Sequence, residues 1–161
     1  MHEKILVLER SIAEDLEAID RIFGALEPAE LDSATPEDER VLIGYRLHNL
    51  YNAFENIFRN VARAFENTLE ERGGWHAELL RRMRFDLMPI RPAVIDPETF
   101  DQLDELRRFR HVFRSLYTDE IDPLRMTVAL QKARELGQIW PASIEPFLLF
   151  LKGLRPDSAS E

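Results

Sequence analysis

Leu106-Arg107-Arg108-Phe109-Arg110-His111-Val112-Phe113-Arg114-Ser115-Leu116-Tyr117 carries two patterns at once. Leu106, Phe109, Val112, Phe113 and Leu116 recur at helical steps and share one arc of about 120°, with Leu103 about 60° beyond its edge. That spacing predicts a helix with one face in a core. Between the apolar residues sit four arginines and one histidine within eight positions, in a chain with 21 Lys+Arg against 30 Asp+Glu and a net charge of -9. Such a cluster calls for either a partner or a solvated face. Arg107 has Asp104 three residues back, so a surface ion pair accounts for it, whereas Arg110, His111 and Arg114 meet no following acid before Asp119. Arg107, Arg110, Arg114 and Tyr117 lie within about 80° of one another at the edge of the apolar face.

Working back toward the N-terminus, Asp96-Pro97-Glu98 supplies a cap and a proline start for this helix, and Pro89-Ile90-Arg91-Pro92 breaks the one before it. Trp75, Leu79, Leu80, Met83 and Leu87 predict that earlier helix, ending near Met88. A longer helix precedes it. Thr35-Pro36-Glu37-Asp38 offers an N-cap hydroxyl, a proline at the first helical position and acids in the first turn, and no break except Gly44 intervenes before Gly73-Gly74. Ile43, Leu47, Leu50, Phe54, Ile57, Phe58, Val61 and Phe65 share its core arc. His48, Asn52, Glu55 and Arg59 line the opposite side, with Tyr51 at the margin. That stripe reads as a solvated face with a Glu55 to Arg59 pair, or as a functional one if it faces a cleft. The first helix, from about residue 3 to 26, carries Ile5, Leu8, Ile12, Leu16, Ile19, Phe23 and Leu26 and stops at Glu27-Pro28.

Toward the C-terminus, Asp122-Pro123 starts a last helix, apolar at Leu124, Val128, Leu136 and Ile139, which Pro141 and Pro146 are expected to kink or interrupt before Phe147, Leu148 and Leu151. No stretch alternates with period two, so no sheet is expected. The fold class is all-α, an antiparallel bundle of about five helices forming a single domain over residues 1–154. A frayed polar tail is expected over residues 155–161.

Several chemistries are set aside. The chain has no cysteine, so thiolate metal sites and disulfides are excluded, and no Glu-x-x-His spacing of the kind that binds metals inside bundles occurs. His2, His48, His76 and His111 are scattered over different elements, and no glycine loop is built to cradle phosphates. No metal and no cofactor is expected. No apolar run is long enough for a membrane span and the N-terminus lacks the pattern of a signal peptide, so the expected location is the cytoplasm. Any contact with nucleic acid must be local, because the net charge repels a polyanion.

Four segments together resemble the HepT-like branch of the HEPN helical domains: Leu47-His48-Asn49-Leu50-Tyr51 followed by Glu55, Gly73-Gly74-Trp75-His76, Arg91-Pro92-Ala93-Val94, and Leu106 through Arg114. The motif of that family is an arginine, four residues, a histidine, one residue and a tyrosine. Arg110 and Tyr117 fall in its register, and Ser115 occupies the histidine position.

The resemblance implies a metal-independent endoribonuclease toxin acting as a homodimer, with the motifs of two subunits meeting at their interface. It also implies a cognate minimal nucleotidyltransferase antitoxin that adds AMP to the motif tyrosine, here Tyr117. In that chemistry an RNA 2′-hydroxyl attacks the adjacent phosphate, histidine moves the proton, and the planar fork of arginine holds the phosphate. Arg110, His111, Ser115 and Tyr117 are the candidate catalytic residues, with Arg107, Arg114, Tyr51 and Glu55 as auxiliary or RNA-binding positions. Serine cannot shuttle protons near neutral pH without an activating base. A weakened or dead homologue, a site in which His111 takes over, and an engineered substitution all accommodate Ser115. The alternative function is a non-catalytic helical module that pairs with the nucleotidyltransferase, and a purely structural bundle is a third.

Overall fold

The computed structural model describes residues 1–66, 72–115 and 121–155, and five helices make up most of them. These are α1 (His2–Leu26), α2 (Glu37–Phe65), α3 (Trp75–Met83), α4 (Pro97–Ser115) and α5 (Pro123–Gly153). Among the described residues there is no strand beyond an isolated bridge between Leu87 and Arg91, so the protein is an all-α helical bundle. α1 packs along α2 and α4 along α5, while α2 meets α4 and α3 touches both of those.

The apolar arc of α2 is the spine of the core. Ile43, Leu47, Leu50, Phe54, Ile57, Phe58 and Val61 are all buried, and Phe65 is partly so. Phe54 meets Phe23 of α1 and Trp140 of α5 with ring centroids 6.5 and 5.5 Å apart, both edge to face, which locks three helices through one aromatic cluster. Where α2 passes α4, a Cβ on Gly44 would lie 2.9 Å from the ring of Phe113. The glycine therefore lets α4 approach closely on the side where its arginines lie.

The caps of α4 and α5 follow the sequence expectation. Asp96 Oδ1 accepts the N–H of Thr99 at 2.8 Å, and the Asp96 N–H itself donates to Ser143 Oγ of α5 at 2.8 Å. Asp122 Oδ1 accepts the N–H of Leu124 at 3.0 Å. The start of α2 differs: Pro36 takes the N-cap place and no side chain caps the helix. The Thr35 hydroxyl turns back into the connector, accepting the Asp32 N–H at 2.9 Å and donating to the Glu30 carbonyl at 3.2 Å. A local turn has won the hydroxyl from the helix.

Four other expectations are corrected. α2 ends at Phe65, ahead of Gly73-Gly74, and residues 67–71 lie outside the described residues. α3 ends at Met83 and not near Met88, because the chain after it wraps around Arg91. That side chain has no exposed surface. It donates to Glu66 Oε1 at 2.6 and 3.0 Å and to the carbonyls of Arg82, Phe85 and Pro92. Pro141 and Pro146 do not interrupt α5, whose buried residues Leu136, Trp140, Ile144, Phe147 and Leu151 run past both prolines. Leu124 and Val128 are exposed, and the first half of α5 buries Met126, Ala129, Leu130 and Ala133 in their place. At the chain end, Arg155 Nε donates to Glu9 Oε2 at 2.7 Å, while residues 156–161 lie outside the described residues. Among the described residues no helix is long and apolar enough to cross a membrane.

Candidate functional site

α3 and α4 pack against α2 beside its polar stripe, where Glu55 is buried and His48, Asn52 and Arg59 are half-buried. Glu55 is 5% exposed and so is Arg110 of α4, and the two meet with Nη1 to Oε1 at 3.1 Å. The same Nη1 donates to Asn52 Oδ1 at 2.6 Å, and the guanidinium carbon stands 5.1 Å above the ring of Tyr51. A charge this deep needs a partner, and the helical period had placed Asn52 and Glu55 where one could form. Arg59, the partner expected for Glu55, lies 5.0 Å over the ring of Trp75.

The second oxygen of Glu55 meets His76 Nδ1 at 2.7 Å. Arg110 Nη2 lies 3.0 Å from that nitrogen and 3.5 Å from Nε2. A donor aligned with the in-plane lone pair of one ring nitrogen cannot come this near the other, so the guanidinium edge rests against the face of the ring. Facing a carboxylate, Nδ1–H is then the donor to Glu55. Trp75 stacks on the same imidazole with centroids 3.7 Å apart.

A cleft of about 500 Å³ opens over this network, between the N-terminus of α3 and the C-terminal half of α4. Arg107, Arg110, Arg114, His76, His111 and Ser115 line it together with Gly74 and Ala77, and none of the described residues lining it is a carboxylate. Arg107 is tied by Nε to Asp104 at 2.9 Å, whereas Arg114 and His111 are exposed and make no ion pair among the described residues. Gly74, at φ 81°, holds a left-handed N-cap conformation that glycine adopts without strain, and no side chain caps α3. The positive end of that helix therefore forms part of the cleft wall.

The remaining sequence candidates are placed as follows. Ser115 Oγ donates to the His111 carbonyl at 2.8 Å, so its hydroxyl is bonded back into its own helix. Tyr117 lies outside the described residues. Tyr51 is fully buried, its hydroxyl makes no hydrogen bond among the described residues, and burial above all, then Glu55, pushes its pKa upward. Tyr51 and Glu55 both lie against Arg110. His48 stands with its ring 5.7 Å from Phe113 and its Nδ1 without a hydrogen bond. Burial, then the charges of Arg110 and Arg114, lower its pKa. No group of three or more metal-binding side chains occurs among the described residues.

Sequence reasoning gave His76 no role. Its partner Glu55 is 21 positions away on another helix, and no local spacing signals such a pair.

The fold and the site define a helical bundle with a buried arginine–carboxylate pair beneath a cationic cleft. A family model described as HepT-like protein matches residues 42–151, a span that contains every residue lining the cleft. The chain belongs to the HepT-like family. No curated protein and no solved structure matches it.

Proposed function

We propose that the protein is the toxin component of a toxin–antitoxin system, a metal-independent endoribonuclease that takes the phosphate backbone of RNA into the cleft between α3 and α4. One observation carries the reading. In a chain of net charge -9, this cleft gathers three arginines and two histidines, and none of the described residues lining it is a carboxylate. Exposed Arg114 and His111 are the first groups a phosphate meets, Arg107 adds charge beside them, and Arg110 acts from below. Its guanidinium is largely committed to Asn52 and Glu55, so it contributes field more than contact. The RNA 2′-hydroxyl attacks the neighbouring phosphorus, and the cationic wall stabilises the charge that develops.

Within this reading residues 1–154 act as one domain in the cytoplasm and as a homodimer, without a cofactor. A minimal nucleotidyltransferase serves as antitoxin by adding AMP to Tyr117. Membership of the HepT-like family supports that setting. Incubating the protein with RNA in excess chelator tests it. Fragments ending in 2′,3′-cyclic phosphate and 5′-hydroxyl are expected, and intact RNA, or cleavage only with added divalent metal, overturns it.

A second reading is favoured by Ser115, which bonds its own helix and leaves no proton carrier at the motif histidine position. In that reading the protein is a non-catalytic helical module that pairs with the nucleotidyltransferase. It predicts a stable complex of the two proteins and RNA left intact.

A further inference from the structure

We infer that His76 is the catalytic base of this cleft and that Glu55 positions it, a proton-transfer pair on α3 and α2 that replaces the function missing at Ser115. The inference rests on the endoribonuclease reading above and adds to it the group that moves the proton.

Three imidazoles lie near the cluster, and geometry separates them. His48 is not among the residues lining the cleft, and its Nδ1 finds no partner. His111 lines the cleft but is exposed, and no side chain among the described residues holds its ring in one orientation. His76 alone has both properties a base needs. Glu55 fixes its Nδ1–H at 2.7 Å, and 30% of the side chain is open.

Arg110 and Glu55 divide the remaining work. The carboxylate stabilises the imidazolium that forms when Nε2 takes a proton. Arg110, bound to that carboxylate at 3.1 Å, holds Glu55 in place, so that its second oxygen orients the ring. Among the described residues, Glu55 of α2 and Arg110 of α4 touch His76, and Arg107, His111 and Arg114 of α4 share the cleft with it.

The step balances as follows. Nε2 removes the 2′-hydroxyl proton as the bond from the 2′ oxygen to phosphorus forms. The bond from phosphorus to the 5′ oxygen breaks, the departing oxygen takes a proton from water, and the resulting hydroxide recovers the proton held on His76. Charge on the non-bridging oxygens meets Arg114 and the open N-terminus of α3.

The test is single-turnover cleavage of a labelled RNA oligonucleotide in chelator, comparing the native chain with His76→Ala and Glu55→Gln. His76→Ala is expected to lower the rate by roughly 10²–10⁴-fold while RNA affinity is retained, and added imidazole is expected to restore part of the loss. Rescue by imidazole distinguishes a lost proton carrier from a lost structural contact. Glu55→Gln is expected to move the acid limb of the pH–rate profile to lower pH, since an amide stabilises the imidazolium less. If His76→Ala melts below the assay temperature, His76→Gln carries the same comparison. Should the native chain cleave and the folded His76 variants cleave equally well, the pair has no catalytic role and the endoribonuclease reading stands without it. RNA left intact by the native chain overturns both together.

Discussion

Arg110 of α4 and Glu55 of α2, 55 positions apart in sequence, meet at 3.1 Å with 6% of each side chain exposed. The arginine that stands in register with the family motif is therefore fixed from below by a carboxylate and an amide before any ligand arrives. Removing one member leaves the other charge buried without its partner. Arg110→Ala and Glu55→Ala are each expected to cost about 3–5 kcal/mol in urea denaturation, and the double variant less than the sum. Single losses under ~1 kcal/mol are what an exposed pair gives and would contradict the buried arrangement.

Arg91 offers a second test, free of any functional reading. One guanidinium serves Glu66 and three backbone carbonyls in a site closed to water. An ammonium cannot reproduce that fork. Arg91→Lys is expected to lower stability by about 2–4 kcal/mol, seen as a clear drop in Tm, and an unchanged Tm would sink the account of the segment after α3.

His48 gives the folded protein a sensitivity to acid. Its pKa is lowered in the fold by burial and by Arg110 and Arg114, so the unfolded chain binds a proton at higher pH than the folded one. The stability this group contributes is complete above its ordinary value of 6.5 and is lost as pH falls from there through the lowered folded value. His48→Gln is expected to flatten the stability profile as pH falls below 6.5. Denaturation midpoints with the same pH slope in both proteins would rule this contribution out.

Much of the fold was legible because a helical period marks a buried face directly: the α2 arc from Ile43 to Val61 is buried as spaced. Asp96 and Asp122 were legible as caps because each needs only its own neighbours. The two sides of α2 show where reading stops. His48, Asn52 and Glu55 form the same polar stripe whether water or Arg110 lies opposite, and only tertiary packing decides. In α5 two apolar registers competed, and the one with Ala129 and Ala133 turned inward, where small side chains permit close packing of helices. Arg110 and Ser115 could be marked because the resemblance to the HepT-like family supplies a motif register for them. His76 could not, because its meaning depends on Glu55 and on the cleft.

The central claim, that the cleft between α3 and α4 receives RNA phosphates, is tested most directly by the salt dependence of binding to a single-stranded RNA oligonucleotide. Arg114 is the residue to remove, since it is exposed on the cleft wall and makes no ion pair among the described residues. Affinity of the native chain is expected to fall linearly with the logarithm of salt concentration, and Arg114→Ala is expected to bind more weakly with a slope shallower by about 0.7. Binding that ignores salt, or an Arg114→Ala protein with native affinity and native slope, would contradict the claim.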